Sequence, residues 1–192
     1  MYWKKPFKPL FLYIFLVIVI TFSFTTLDSG YTKTVVERPV RWATKIEKKG
    51  LPNFFQVSDT LYRGAQPTKE GFLELKKMGI KTIINLREYH TDEKLINGMG
   101  FIYFQIPTAT SKPLTDHYQK FLDIVKNPDL QPVFVHCQHG ADRTGTAVAL
   151  YRITVQKWGT EEAIRELQQG GYGYHSIYKE IIKFIRNFNN QP

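Results

Sequence analysis

Cysteine is the scarcest residue with chemical consequence: Cys137 is the only one among 192 residues. A single thiol excludes an intramolecular disulfide. No second cysteine pair or suitably spaced histidine pair accompanies Cys137 and His139, so a four-ligand zinc site is excluded and no metal is expected. Acidic residues are also few, 17 against 26 lysines and arginines, giving a formal net charge of +9 and a pI near 9.5. That balance invites a nucleic-acid reading, yet zinc-finger spacing, RNA-binding signatures and basic heptads are all missing. No nucleic-acid partner is expected; the dispersed cations suit anionic substrates or an anionic membrane face. Repeats and low-complexity tracts are absent too, and 43% hydrophobic with 22% charged residues suits one globular domain with an ordinary core.

Charge is missing from one further stretch. Residues 10–20 are uninterrupted apolar sequence behind Lys4, Lys5 and Lys8, and residues 7–27 are long enough to span a bilayer at about 1.5 Å per residue. A cleaved secretory signal competes, but no clear small-x-small cleavage site follows Phe24. The expected organisation is an N-terminal membrane anchor or signal segment over 1–27, a basic linker over 28–50 and a folded domain over 51–192. The leading lysines favour a cytoplasmic N-terminus. The expected localisation is therefore the membrane, through a single-pass N-terminal transmembrane helix, with the domain on the extracytoplasmic side.

Within the domain, strands alternate with helices. Phe54 to Val57 and Leu61 to Arg63 read as short strands around a Ser58-Asp59 turn. Thr68 reads as the N-cap of a helix to Met78, with Gly79 as its stop. Strands over 81–86 and 101–106 flank a short helix opened by Thr91. Thr115 is expected to cap a helix to Lys126, Thr160 another, and residues 177–188 a closing amphipathic helix. This alternation predicts an α/β fold: a central, mainly parallel sheet flanked by helices. In such sheets ligands gather at the carboxyl ends of the strands, where Arg87 and His136 fall.

The stretch that organises the rest is His136-Cys137-Gln138-His139-Gly140-Ala141-Asp142-Arg143-Thr144-Gly145. An apolar run at 133–135 leads in and a helix-compatible run at 147–155 leads out, so it reads as strand, tight loop, helix. A helix N-terminus presents unpaired N–H groups and a positive dipole end, which attract anions. The lone cysteine opens this loop and an arginine closes it, so a thiolate and a bound oxyanion would share one positive cradle. Helix terminus and cation together favour the thiolate, the nucleophilic form.

These residues resemble the His-Cys-x5-Arg-Ser/Thr-Gly signature of the protein-tyrosine and dual-specificity phosphatase superfamily. Residues 61–67 (Leu-Tyr-Arg-Gly-Ala-Gln-Pro) and 79–87 (Gly-Ile-Lys-Thr-Ile-Ile-Asn-Leu-Arg) resemble the opening of its compact atypical dual-specificity group of bacteria, fungi and plants. The resemblance implies the cysteine-phosphatase fold and phosphate-monoester hydrolysis through a phosphocysteine intermediate, with no cofactor. It implies Cys137 as nucleophile and Arg143 as the planar fork on two phosphate oxygens. Gln138, His139, Gly140, Ala141 and Thr144 would bind the phosphate, the backbone N–H groups as a nest and the Thr144 hydroxyl beside the sulfur. His136 would hold the loop's shape, and Gly145 would let the helix close on the sheet. The expected partner is a phosphorylated protein or another anionic phosphate-bearing substrate.

The proton donor is harder to place. By resemblance, an aspartate should stand on the loop at 107–113, which contains no carboxylate. Asp142, inside the cradle as in myotubularin-type lipid phosphatases, is the leading catalytic acid; Asp116 is the other, and a plain helix N-cap is the competing role for Asp142. Arg63, Arg87 and Lys112 could line the approach for inositol phosphates or phosphoinositides, and Tyr172, Tyr174 and His175 could wall it. A sulfurtransferase or arsenate reductase, and a phosphate-binding module with weak catalysis, are the readings from other classes.

Overall fold

The chain is described by a computed structural model, which places residues 1–3 and 38–188. A compact unit runs over Glu37–Pro192. Its described elements are β1 (Thr44–Lys45), β2 (Phe55–Ser58), β3 (Leu61–Gly64), α1 (Lys69–Lys77), β4 (Thr82–Asn85), α2 (Glu93–Ile96), β5 (Ile102–Gln105), α3 (Thr115–Lys126), β6 (Val133–His136), α4 (Asp142–Thr154), α5 (Thr160–Gln169) and α6 (Lys179–Asn187). The six strands form one sheet in the order β1-β2-β3-β6-β4-β5. β1, β2 and β3 pair antiparallel, whereas β3 with β6, β6 with β4, and β4 with β5 run parallel.

The central strands are apolar on both faces because both faces are covered. Side chains alternate across a strand, and here the alternation sorts the core into two clusters. Ile84, Val133 and Val135 pack with Tyr118, Phe121, Leu122 and Leu150 from α3 and α4. Ile83 and Phe134, one residue out of phase, pack with Phe72, Leu75 and Ile96 from α1 and α2. The expected α/β sheet flanked by helices is therefore present, with an antiparallel edge.

Local signals fared unevenly. Thr68 caps α1, its Oγ1 accepting the Gly71 N–H at 3.2 Å, and Gly79 follows with φ +80°. Thr115 and Thr160, expected as caps, are instead the first residues of α3 and α5, preceded by Leu114 and Gly159 at the cap positions. Residues 38–50, read as linker, carry β1 and bury Trp42 and Ala43.

The membrane localisation expected from the N-terminus needs correction. Among the described residues no helix is long and apolar enough to cross a membrane. The segment on which that expectation rested, residues 7–27, lies outside the described residues, so neither the single-pass anchor nor an extracytoplasmic side is retained.

Candidate active site

At the carboxyl end of β6 the chain turns through residues 137–141 and enters α4. β6 lies between β3 and β4, so the loop emerges at the middle of the sheet with strand ends on either side. Cys137 is 2% exposed at the loop's floor, and Gln138 and His139 form its exposed lip.

The loop's backbone is held from outside. The carbonyl of Gln138 accepts the Gln66 backbone N–H at 3.2 Å. The carbonyl of His139 accepts from Asn53 Nδ2 at 2.8 Å, and that of Gly140 from Arg63 Nη2 at 2.5 Å. In a planar trans peptide the N–H points opposite to the C=O. Three consecutive carbonyls tied outward thus turn the N–H groups of residues 139–141 inward. Amides turned this way at the N-terminus of α4 have the arrangement that can receive an anion. Gly140 makes the turn possible. Its φ is +69°, and a Cβ there would stand 2.5–2.6 Å from the Gly64 and Ala65 backbone.

Arg143 reaches the end of β4, its Nη1 donating to the Leu86 carbonyl at 3.4 Å. With Arg87, Glu88, Tyr89, His90, Thr110 and Gln138 it lines a cleft of about 410 Å³. Thr144 is fully buried, and its hydroxyl has no hydrogen-bond partner among the described residues. Gly145 faces Leu167 of α5, which a Cβ would strike, with the Arg63 side chain of β3 at 3.8 Å from the same point.

Beneath the loop lies a buried ionic layer. Arg63, expected on the approach, is 1% exposed and stacks 3.6 Å from the Tyr172 ring centroid. Burial pushes the Arg63 guanidinium below its ordinary value, and Tyr172, when ionised, and the Glu166 carboxylate oppose that shift. Glu166 takes Arg152 Nε and Nη2 at 2.7 and 2.9 Å. Burial acts to raise the Glu166 carboxyl, but Arg152, the Ala43 N–H and the Tyr172 hydroxyl outweigh it and hold the group below its usual range. The Tyr172 hydroxyl, chiefly through burial, is pushed up to about 12.

His136 is wholly buried and bonds Asp92 Oδ2 through Nε2 at 2.8 Å. Asp92 Oδ1 also accepts from Gln66 Nε2 at 2.7 Å, and Gln66 Oε1 accepts from Arg87 Nη1 at 2.8 Å. One chain of hydrogen bonds therefore joins the start of the loop to a cation of the cleft. Asp142 is not the N-cap of α4, which is Ala141. It lies in the first turn, with Oδ1 accepting the His175 N–H at 2.9 Å and Oδ2 accepting from His175 Nδ1 at 2.8 Å.

Of the residues singled out from sequence, Cys137, Gln138, His139, Gly140, Ala141, Asp142, Arg143 and Thr144 lie in or beside the loop, and Arg87 joins the cleft. Asp116 opens onto a different cleft with Gln119, Lys120 and Leu130. Lys112 lines another with Glu180 and Phe184. Gln66, Asn53 and Asp92 were missed as site residues.

Comparison with known proteins matches this geometry. A family model described as "DSP-PTPase phosphatase fused to NAD+ Kinase" matches residues 44–182. The dual specificity protein phosphatase TpbA of Pseudomonas aeruginosa is 28% identical over 156 residues, covering 80% of this chain and 70% of that protein. Inositol diphosphatase DSP3 of Arabidopsis thaliana is 31% identical over 125 residues, 61% of each chain. The crystal structure of P. aeruginosa TpbA superposes with a TM-score of 0.72 at 26% identity, covering 80% of this chain and 96% of that one. A loop of this shape headed by a buried cysteine, on this sheet, with these relatives, makes the chain a member of the DSP-PTPase phosphatase family and a cysteine-dependent phosphatase.

Proposed function

We propose that Cys137 is the nucleophile and that Arg143, with the backbone amides of residues 138–143, binds the transferring phosphoryl group. The observation that carries this reading is the outward tethering of the loop carbonyls above a buried thiol. It turns the loop amides toward one point, next to the sulfur and the helix terminus. The sulfur attacks phosphorus in line, and the S–P bond forms as the ester P–O bond breaks. The loop amides and the Arg143 fork follow the charge on the equatorial oxygens. The unpaired Thr144 hydroxyl stands ready to stabilise the sulfur as it leaves phosphorus in the second step.

The substrate is a phosphorylated protein, with phosphotyrosine favoured. A TpbA variant has been crystallised in complex with pTyr and superposes at a TM-score of 0.71 and 25% identity. In this chain Tyr89 stands 92% exposed beside the cleft, suited to cover a substrate ring. The second reading is an inositol-phosphate or phosphoinositide substrate, favoured by Arg87, His90 and Arg143 in one cleft.

Cys137→Ser tests the first assignment. Turnover of an aryl phosphate is lost while binding of a phosphate analogue persists; retained turnover removes Cys137 from the reaction. Comparing rates on a phosphotyrosyl peptide and an inositol pyrophosphate, in wild type and Arg87→Met, ranks the two substrate classes.

A further inference from the structure

The departing oxygen needs a proton, and residues 107–113 hold no carboxylate to supply it. Asp142 is poorly disposed to do so. Both of its oxygens already accept N–H groups of His175, and a carboxylate filled by two donors acts as an acceptor. In-line attack then decides where the donor must be. The sulfur sits at the floor of the loop, so the leaving oxygen points away from it, toward the exposed lip.

Histidine is the side-chain type whose ordinary charge change lies nearest neutrality, and three stand around the site: His139 and His175 at the lip and His90 in the cleft with Arg143. The His139 and His175 rings lie 6.2 Å apart. The His139 and His90 rings make no hydrogen bond among the described residues, the bonds to His90 being to its carbonyl, so nothing aims either ring. The His175 ring is aimed. Its Nδ1–H is committed to Asp142, the residue beside Arg143, which leaves Nε2 on the opposite edge of a side chain 53% exposed. Its other ring neighbour is Tyr178 at 6.3 Å. A proton carrier oriented by a buried carboxylate is the arrangement that general acid catalysis requires.

We propose that His175, oriented by Asp142, gives the proton to the leaving oxygen. The proposal rests on Cys137 as nucleophile. In the first step the thiolate electron pair forms the S–P bond and the P–O bond breaks. The imidazolium Nε2–H passes to the departing alkoxide, leaving alcohol and neutral imidazole. In the second step water attacks phosphorus and the S–P bond breaks. The imidazole takes the water's proton, which restores thiolate and imidazolium and releases inorganic phosphate.

The test is a series of aryl phosphates running from phenyl to 2,4-dinitrophenyl. His175→Asn keeps an N–H near the Nδ1 position for Asp142 but has no proton to give. The expected result is a fall in kcat/KM of about 10²–10⁴-fold on phenyl phosphate and little change on the dinitrophenyl ester, whose phenolate leaves unaided. A loss of equal size across the series, or no loss, overturns the proposal. So does leaving-group dependence in Asp142→Asn with none in His175→Asn, which makes the carboxyl the donor. Cys137→Ser, run in parallel, separates the two levels: retained turnover there refutes the nucleophile, whatever His175 does.

Discussion

Two histidine–aspartate pairs flank the same ten residues. His136 and Asp92 meet at 2.8 Å where the loop begins, and His175 and Asp142 meet at 2.8 Å where it ends. The chemistry and the distance are alike, but the surroundings differ. Both side chains of the first pair are 0% exposed, and the His136 ring is stacked on Phe134 at 5.6 Å with Phe72 at its edge. In the second pair the aspartate is 9% and the histidine 53% exposed. A pair sealed among phenylalanines has no route for exchanging a proton with substrate, so it fixes backbone. A pair with one ring in solvent and one carboxylate below can move a proton in each cycle. Burial, and not the identity of the partners, divides framing from chemistry.

Breaking the buried pair should have the largest effect on stability. Asp92→Ala leaves His136 Nε2 without its acceptor and Gln66 Nε2 with only the Pro67 carbonyl at 3.4 Å, and removing one partner of a buried pair costs about 3–5 kcal/mol. Urea unfolding checks this. The same measurement against pH checks the cause. Burial acts to raise the Asp92 carboxyl, but the hydrogen bond and charge of His136 and the Gln66 bond outweigh it, so its folded value lies below the ordinary one. A depressed carboxyl contributes in full above its unfolded value, about 3.9, and loses that contribution as pH falls through the folded value. The gap between wild type and Asp92→Ala should therefore be full at neutral pH and narrow in strong acid. A gap independent of pH would show that packing, not charge, holds the pair.

A smaller effect is expected from disturbing the loop between the pairs while leaving both intact. Gly140→Ala forces a side chain into a left-handed turn and against the Gly64 backbone. The inward amides then lose register. With one oxyanion donor displaced, kcat/KM should fall by about 10²–10³-fold, and affinity for a phosphate analogue should fall with it. Unchanged analogue affinity would mean the amides are not the cradle.

How far sequence carried the molecule follows the same division. The cysteine loop and its arginine were legible as strand, loop and helix because they occupy one contiguous stretch, residues 136–145, whose pattern is local. Ile83 and Ile84, adjacent yet sorted to opposite faces, show why the central strands read as apolar runs. What escaped was long-range. Asp92 meets His136 across 44 residues, and Arg63 meets Gly140 across 77, because β3 lies beside β6 in the sheet. No local period encodes that neighbour. One signal was available for Arg63: it shares a strand face with Leu61, two residues earlier, which marked it as inward. Thr115 and Thr160 were misjudged by a single residue, since the chain places Leu114 and Gly159 at the cap positions.

The smallest stability effect should come from Asp142→Asn, and it bears hardest on the contrast between the pairs. The His175 ring is half in solvent, so the pair belongs to the exposed class, where an ion pair contributes roughly 0–1 kcal/mol. For a chain of this length that moves a thermal midpoint by no more than about 2–4 °C. The His175 backbone N–H keeps an acceptor in the asparagine oxygen, so the segment stays docked. The ring loses its acceptor and its aim, and turnover of esters with poor leaving groups should fall while the fold persists. Asp92→Ala should show the reverse order, with stability failing first. If thermal scans find Asp142→Asn as damaging to the fold as Asp92→Ala, both pairs are framework, and a proton donor for the reaction must be sought elsewhere on the lip.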